Sequence, residues 1–313
     1  MKKIVLKVPH RISGFFEIVD QVDGKEIEEP ERIGSRGSGF NLTAMGITEI
    51  SYENLKKDDL TNCEIYINSK KLDQKAETSF YIFDYVKNFI KEPKKIVINH
   101  KFELPVECGY GASGSGALGT IYGLKRLLKL SFTPLECGRI AHISEVINKT
   151  GLGTVCGQLG GGLSILTEPG YPCSVERIAI KGDYCVICTT FGKIHTKSIL
   201  SDSVLKKEIK NQGRTSLKRL LINPSLEKFT EESIRFVNET KILEFLNLEK
   251  TKNLMNDLNK EDILGASMNQ LGRSVYAICT EREKQTVEEI FESYQSIDKI
   301  YNLRIHEAKP HFL

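Results

Sequence analysis

The apolar positions of the N-terminal half follow the period of a strand in some stretches and the period of a helix in others. Runs rich in β-branched residues predict strands, and apolar residues that recur every three or four positions predict helices. The predicted strands are KKIVLKV at 2–8, ITEISYE at 47–53, CEIYINS at 63–69 and Lys94–Phe102. The predicted helices are Ala76–Ile90, Ala117–Leu128 and a third from Pro134 to about Ile147, because proline suits a first helical turn.

The C-terminal half shows the same two periods in a different order. It predicts strands at Leu163–Thr167, Val175–Ile180, Tyr184–Thr190, Arg273–Thr280 and Lys299–Ile305. Helical spacing covers most of Leu217–Leu258, with a break near Pro224, and returns at Glu283–Tyr294. From Tyr184 onward, the order of strand, helices, strand, helix and strand suits an antiparallel sheet with helices on one face. We therefore predict an α+β protein with two domains, residues 1–180 and 181–313.

Composition and charge narrow the class of protein. The chain has 313 residues, of which 40% are hydrophobic and 27% charged, with a net charge of +3. This balance is typical of a soluble globular protein, and the interspersed charges give no basic face for nucleic acid. No apolar run approaches the roughly 20 residues of a membrane span, and the start lacks the apolar core of a signal peptide. We expect a cytoplasmic protein that binds neither nucleic acid nor membrane.

The eight cysteines are scattered, and only Cys185 and Cys188 lie close together in sequence. Both fall in a predicted strand, where side chains three positions apart point to opposite faces. This spacing is wrong for a shared metal or a redox turn. Free cysteine packs as a small apolar residue, so we expect buried thiols here and no disulfide framework.

A glycine-rich segment, CGYGASGSG at 108–116, carries the main chemical signal. Gly109, Gly111 and Gly114 have the spacing of a dinucleotide-binding fingerprint, but Pro105 and its acidic neighbours make a poor buried strand before it. A Walker A loop would end in Gly-Lys-Ser/Thr, and here Gly116 is followed by Ala117. The third interpretation is a loop that lets backbone N–H groups reach phosphate oxygens at a helix N-terminus, and the alternative to it is a flexible surface loop. We favour phosphate binding, because the segment leads directly into a predicted helix. Ser113 and Ser115 would supply hydroxyls to phosphate or Mg²⁺.

Three segments resemble the motifs of the GHMP kinases. PVECGYGASGSGALG at 105–119 is similar to their ATP-binding motif, Pro-x-x-x-Gly-Leu-Gly-Ser-Ser-Ala. PHRISGFFEIV at 9–19 resembles the first motif of the superfamily, and GASMNQLG at 265–272 resembles the third. Within the superfamily, PHRISGFFEI, GSRGSGF and GKIHTKSIL look most like the archaeal pantoate kinases. The resemblance implies a two-domain GHMP kinase fold, with a ribosomal-S5-domain-2-like N-terminal domain and a ferredoxin-like C-terminal domain.

The resemblance also implies roles for individual residues. ATP would be bound by Pro105, Gly109, Gly111, Ala112, Ser113, Gly114, Ser115 and Gly116. Ser115 and Glu145 would be catalytic residues that hold Mg²⁺. His142 and Glu145 lie three positions apart and share a helix face. The segment GSRGSG at 34–39 would be a substrate-binding loop. The substrate would be bound by its Ser35, Arg36 and Ser38 and by His142, with Arg36 offering a planar fork to a carboxylate.

Two positions depart from the pattern of the superfamily. Thr154 stands where many of these kinases have an aspartate as candidate general base, so Thr154 would orient the acceptor hydroxyl and would not deprotonate it. Leu166 stands where pantoate kinases tend to have an arginine, and Arg177 is a candidate substitute. Lys193, His195 and Lys197 either neutralise anionic groups at the cleft or belong to a solvated loop.

The implied activity is an ATP- and Mg²⁺-dependent transfer of phosphate to the primary hydroxyl of pantoate, giving 4-phosphopantoate on the archaeal route to coenzyme A. The alternative within the superfamily is a kinase of another hydroxy acid, such as a mevalonate phosphate. A nucleotide-dependent oxidoreductase and an RNA-binding module are the alternatives from other classes. The partners we expect are a small-molecule substrate and a second copy of the chain in a homodimer.

Overall fold

A computed structural model describes residues 2–194 and 202–313 and contains two main β-sheets. The strands are β1 (Lys2–Val19), β2 (Gln21–Val22), β3 (Lys25–Glu26), β4 (Gly34–Asn54), β5 (Asn62–Ile67), β6 (Lys70–Lys71), β7 (Lys94–Phe102), β8 (Leu163–Glu168), β9 (Ser174–Ile178), β10 (Cys185–Thr190), β11 (Gly265–Met268), β12 (Ser274–Cys279), β13 (Tyr301–Leu303) and β14 (His311–Phe312). The first sheet has the order β14-β1-β4-β7-β5-β6, and β8 and β9 extend it beside β4. The second sheet has the order β11-β12-β10-β13.

The helices that the structure describes pack around these sheets. They are α1 (Glu77–Val86), α2 (Ala112–Leu128), α3 (Pro134–Ile147), α4 (Thr154–Gly160), α5 (Ser203–Ile222), α6 (Leu226–Thr240), α7 (Ile242–Phe245), α8 (Glu249–Leu258) and α9 (Lys284–Glu292). The prediction of a helix from Pro134 is confirmed. Thr133 caps it through a reciprocal capping box with Glu136, which satisfies two backbone N–H groups at the helix start.

β1 and β4 are much longer than the strands predicted within them. They are 18 and 21 residues long and pair antiparallel, with irregularities of register between Pro9 and Arg11 and between Ser13 and Phe15. Such bulges bend a strand and let it curl around a core. The segment GSRGSG at 34–39, which we took for a loop, is therefore the beginning of β4. Adjacent side chains of a strand face opposite sides, and Ser35 and Arg36 are adjacent in β4.

The second sheet has a ferredoxin-like arrangement. All its pairings are antiparallel, and α5–α8 connect β10 to β11 while α9 connects β12 to β13. In order of their appearance in the chain, the four strands lie 2-3-1-4 across the sheet. The predicted α+β fold with a ferredoxin-like C-terminal part is confirmed. The doubly wound parallel sheet of a dinucleotide-binding oxidoreductase is absent from the described residues, where β5 with β7 is the one parallel pair.

The two sheets share a hydrophobic core. Phe15 and Phe40 of the first sheet pack with Phe229 and Tyr276 of the C-terminal half. The chain also returns at its end, because β14 pairs with β1. Within residues 2–194 and 202–313, no helix is long and apolar enough to cross a membrane.

The cysteines differ in one respect from expectation. Cys185 and Cys188 are free and buried, as predicted. Cys156 of α4, however, forms a disulfide with Cys173, contrary to the expectation of no disulfide. The loop before β9 brings Cys173 back onto α4, and 17 residues of sequence separation gave no sign of this approach.

Candidate active site

A cleft of about 800 Å³ opens beside the glycine-rich segment. One part of its wall is formed by the hairpin of β5 and β6, the start of α1, and His100 and Phe102 of β7. We call the opposite part the acceptor side; its lining residues are Arg11, Ser13, Phe15, Phe16, Ser35, Ser38, Leu152, Thr154, Leu166, Gln270 and Leu271. The glycine-rich segment lies against both parts, through Gly109, Tyr110, Gly111, Ala112, Ser113 and Gly116.

The segment 109–116 is shorter as a loop than predicted. Gly109 and Gly111 have φ angles of +87° and +70°, a region that glycine enters without the steric cost of a Cβ. Gly111 is the N-cap of α2, which begins at Ala112 and not at Ala117. Apolar periodicity placed the helix start too late, because its first turns consist of alanine, serine and glycine.

The start of α2 presents unused hydrogen-bond donors. No acceptor in the described part of the chain binds the backbone N–H groups of residues 109–114, and the first intrahelical bond runs from Ser115 N to Gly111 O at 3.1 Å. Free N–H groups and the helix dipole together attract an anion. This end of α2 can therefore bind the phosphates of a nucleotide.

Glu145 lies directly beside this helix start. Ser113 Oγ donates a hydrogen bond of 2.6 Å to Glu145 Oε1, and the side chain of Glu145 is buried. Burial raises the pKa of Glu145 to about 7, against the opposing effect of hydrogen bonds from Ser113 and from the Val155 backbone. A Cβ added to Gly151 would stand 2.7 Å from Glu145 Oε1, so the glycine leaves room for the carboxylate.

Ser115 was predicted to share a cation with Glu145, and its surroundings do not favour that role. It is fully buried, its hydroxyl donates to the carbonyls of Val8 at 3.3 Å and Pro9 at 3.4 Å, and it does not line the cleft. Ser113 is the serine that contacts Glu145. The motif already contained this signal: with Pro105, Gly109 and Gly111 in register, Ser113 falls on the second serine of Gly-Leu-Gly-Ser-Ser-Ala.

Two further predicted substrate residues are engaged elsewhere. Arg36 points away from the cleft, and its Nε and Nη2 atoms donate to Glu17 Oε2 at 3.0 and 2.7 Å. Arg214 donates to the other oxygen of Glu17 at 2.9 Å. His142 is buried on α3, where its Nε2 atom is 2.9 Å from the carbonyl of Ile33 and burial lowers its pKa. Neither side chain lines the cleft.

Ser35, Thr154 and Leu166 meet on the acceptor side. A Cβ added to Gly153, which precedes Thr154, would contact Ser35 Oγ and would lie 2.8 Å from Leu166 Cδ1. Ser38 also lines this side, although its hydroxyl donates to the carbonyl of Ser164 at 3.0 Å. The predictions for Ser35, Ser38 and Thr154 thus converge on one pocket, which has an apolar wall at Leu166.

Of the other basic residues predicted near the cleft, Lys193 lines it and Arg177 does not. Lys193 lines the cleft mouth, where its Nζ lies 2.7 Å from Glu107 Oε2. Arg177 donates to the carbonyl of Gly160 at 2.8 Å and does not line the cleft, so it does not replace the arginine missing at 166. His195 and Lys197 lie outside the described residues.

Arg11 is the residue that sequence analysis missed. It is buried on the acceptor side, its Nη1 atom donates to Asn41 Oδ1 at 3.3 Å, and no described carboxylate pairs with it. Burial lowers the pKa of Arg11 to about 9, which leaves it protonated at neutral pH. A buried cation without a counter-ion is costly, so it marks a place for an anionic ligand. Its position within PHRISG was the available signal.

Comparisons with known proteins agree with this geometry. The family profile described as GHMP kinases N terminal domain matches residues 79–162. The chain is 32% identical to a pantoate kinase of Methanocaldococcus jannaschii, over 90% of this chain and 93% of that protein. It is 28% identical to a pantoate kinase of Thermococcus kodakarensis, over 90% of each. A solved structure described as a phosphotransferase related to the CoA biosynthesis pathway superposes with a TM-score of 0.84 at 25% identity, over 99% of this chain and 98% of that one.

The family match and the 32% identity to a pantoate kinase show an ATP-dependent kinase of the GHMP class. The two-sheet fold and the glycine cap of α2 agree with this class. The similarity to the Methanocaldococcus protein extends over nearly both full lengths. The chain therefore belongs to the pantoate kinase family of the GHMP kinases.

Proposed function

We propose that this protein transfers the γ-phosphoryl group of ATP to the primary hydroxyl of pantoate, producing 4-phosphopantoate and ADP. The carrying observation is the position of the free N–H groups at the start of α2, between the Ser113–Glu145 pair and an acceptor pocket with both polar and apolar walls. The pantoate kinases that the chain resembles support the choice of acceptor.

Nucleotide phosphates would lie against residues 109–116. The N–H groups of Gly109, Gly111, Ala112 and Ser113 would bind their oxygens, and the dipole of α2 would add positive potential. Pro105 would limit the flexibility of the turn that enters this segment. The base would then extend toward the hairpin of β5 and β6.

Mg²⁺ fits beside the same phosphates. Magnesium is usually held by one or two carboxylates, substrate phosphates and water, and Glu145 with Ser113 supplies one carboxylate and one hydroxyl. Within the described ranges, His, Cys, Asp and Glu side chains form no group of three that could bind a metal alone, so phosphate oxygens would complete the coordination. The bound cation would neutralise charge on the phosphates.

Pantoate combines a carboxylate, two hydroxyls and a carbon with two methyl groups, and the acceptor side offers a complement to each. Phe16, Leu152, Leu166 and Leu271 provide an apolar wall for the methyl groups. Ser35 and Gln270 provide hydrogen-bonding groups, and the Oε1 atom of Gln270 is buried without a partner. Arg11 provides positive charge.

Phosphoryl transfer would proceed without a carboxylate base. No residue of the acceptor side is acidic, and Thr154 cannot take a proton near neutral pH. The acceptor oxygen forms a bond to the γ-phosphorus, the bond to ADP breaks, and the hydroxyl proton passes to a phosphate oxygen or to water. Arg11 stabilises the charge that develops on the oxygen, since catalysis in this class rests mainly on positioning and electrostatics.

The test is ADP release from ATP and Mg²⁺ with a panel of acceptors: pantoate, pantothenate, mevalonate, its phosphates and homoserine. We expect kcat/KM for pantoate to exceed that for every other acceptor by at least about 100-fold, because a site built to hydrogen-bond a substrate rejects analogues that leave its groups unpaired. Equal or faster turnover of a mevalonate phosphate would overturn the choice of acceptor and leave the kinase class intact.

The cellular setting is also a proposal. A kinase that uses ATP and a small acid is supplied with both in the cytoplasm, and we propose that the protein acts there without nucleic-acid or membrane partners. We further propose a homodimer. Light scattering during size-exclusion chromatography would show one or two chains per particle and so test the latter.

A further inference from the structure

The glycine-rich segment is fixed by hydrogen bonds to its carbonyl groups. The hydroxyl of Ser274 donates to Cys108 O at 2.6 Å, and Arg11 N donates to Tyr110 O at 3.1 Å. Gly111 O accepts from Ser115 N at 3.1 Å and from Gln158 Nε2 at 2.9 Å. The C=O and N–H groups of a planar trans peptide point in opposite directions. A carbonyl held inward therefore turns the N–H of the next residue outward, toward the phosphate position.

Gln158 is the side chain that holds the Gly111 carbonyl. It lies on α4 and is fully buried. Its amide group has two hydrogens, and two carbonyls, Pro9 O and Gly111 O, each lie 2.9 Å from Nε2. The Ser115 hydroxyl is 3.1 Å from the same nitrogen. One amide thus connects β1, the glycine-rich segment, α2 and α4.

The other atom of this amide faces the same segment. Gln158 Oε1 is buried without a hydrogen-bond partner, and a Cβ added to Gly114 would stand only 2.6 Å from it. The side chain is therefore packed tightly under the first turn of α2. Gly111 has no side chain that would restrict its backbone, because glycine enters several backbone regions at little cost. A constraint on its peptide has to come from its hydrogen-bond partners.

We propose that Gln158 is a positioning residue for phosphoryl transfer, which keeps the Gly111–Ala112 peptide oriented so that Ala112 N–H binds the nucleotide phosphates. This inference rests on the proposed function, because it requires ATP at the start of α2. It predicts a defect confined to the nucleotide: loss of the amide loosens the cradle, while the pocket of Ser35, Leu166 and Gln270 is unchanged.

The test uses two variants of similar volume. Gln158→Met removes both donors, and Gln158→Glu replaces them with an acceptor that repels phosphate. We expect the KM for ATP to rise by about tenfold or more in Gln158→Met, the loss typical of a hydrogen bond to a charged group, and further in Gln158→Glu. The KM for pantoate should stay within about threefold of the wild-type value, since no acceptor-side contact is removed.

Asn259, the C-cap residue of α8 beside the second sheet, offers a control outside the cleft. Its Nδ2 atom likewise donates to two carbonyls, those of Met255 and Ala266, at 2.8 Å each. Asn259→Leu should lower thermal stability and leave both KM values unchanged. Equal rises of both KM values in Gln158→Met, or a KM for ATP within twofold of wild type, would overturn the proposal.

Equilibrium binding of ATP with Mg²⁺, measured by calorimetry, separates this proposal from the proposed function. Wild-type protein that binds ATP as tightly as Gln158→Met refutes only the role of Gln158. Wild-type protein that binds no ATP refutes both. If Gln158→Met fails to fold, the same comparison is made with Gln158→Glu, which preserves the shape of the side chain.

Discussion

The two sides of the cleft use different chemical groups. We call the start of α2 with Ser113 and Glu145 the nucleotide half of the site, and the acceptor side its acceptor half. At the start of α2, the proposed phosphate site consists of backbone N–H groups, and their positions follow from glycine conformations and buried hydrogen bonds. On the acceptor side, the proposed substrate site consists of side chains, and Thr154 and Leu166 stand where the superfamily pattern has an aspartate and an arginine. Binding by backbone N–H groups can survive many side-chain substitutions. Binding by a side chain is lost when that side chain is replaced. Membership of the family therefore supports nucleotide binding more strongly than it supports the choice of acceptor.

Glu145→Gln should produce the largest loss of activity and tests the nucleotide half. The amide keeps the shape of the side chain but removes the negative charge beside Ser113. We expect kcat to fall on the order of 10²–10³-fold, as when one electrostatic contact to the transition state is lost. Steady-state kinetics at saturating ATP measures it. A fall below tenfold would mean that Glu145 does not hold the cation.

Arg11→Met tests whether turnover of pantoate depends on the positive charge of Arg11. We expect kcat/KM for pantoate to drop by about 100-fold or more, since a buried cation is removed from an anionic substrate. Thermal stability should be unchanged or higher, because a buried charge without a carboxylate partner is costly to the fold. Lower stability with normal kinetics would contradict this account of Arg11.

Glu145 should also give the fold a distinctive pH dependence. Because its pKa is about 7 when folded against an ordinary 4.5, the folded state binds a proton that the unfolded state has lost. This contribution is complete below pH 4.5 and disappears as pH rises to 7, an effect of about 3 kcal/mol. Urea unfolding of wild type and Glu145→Gln between pH 4.5 and pH 8 measures it. Parallel curves for the two proteins would show that the carboxyl is not buried as described.

His142→Ala should affect the fold and leave substrate binding alone. The ring contacts the Ile33 carbonyl and stacks near Tyr171, outside the cleft. We expect a loss of about 1–3 kcal/mol in the free energy of unfolding, the cost of an unsatisfied buried carbonyl, with little change in the KM for pantoate. A large rise in that KM at unchanged stability would instead support the family-based prediction of a substrate contact.

Thr154→Val should have the smallest effect. It tests whether Thr154 orients the acceptor hydroxyl or takes part in proton transfer. The change replaces the hydroxyl with a methyl group of similar volume and leaves the charge unchanged. If Thr154 only orients the acceptor, kcat should fall by less than about tenfold, the range of one neutral hydrogen bond. A loss of 10³-fold would assign Thr154 a direct part in proton transfer.

The sequence predicted a phosphate site from local features, but it did not predict which serine contacts Glu145. Glycine spacing and a following helix pointed to phosphate binding, because those features are local. The expected contact of Ser115 with Glu145 is made by Ser113. The two serines are only two residues apart, and it is packing against β1 that buries Ser115. Arg36 and Ser35 are neighbours on β4, and the alternation of the strand sends only Ser35 into the cleft. A segment interpreted as a loop offered no such alternation.

The contacts that sequence analysis could not reach are long-range. Glu17 engages Arg36 and Arg214 across distant segments, and Cys156 meets Cys173 after the chain reverses. Nothing in the local composition of these segments encodes such encounters. The fold itself was predictable because the order of strands and helices in the C-terminal half allows few antiparallel arrangements.

The most direct test of the central claim is the phosphorus NMR spectrum of a reaction that contains the protein, ATP, Mg²⁺ and pantoate. The account predicts a new phosphate monoester resonance split into a triplet by the two hydrogens of the primary carbon, with one ADP formed for each product molecule. A doublet would place the phosphate on the secondary hydroxyl. Inorganic phosphate alone, or no turnover, would contradict the proposed reaction.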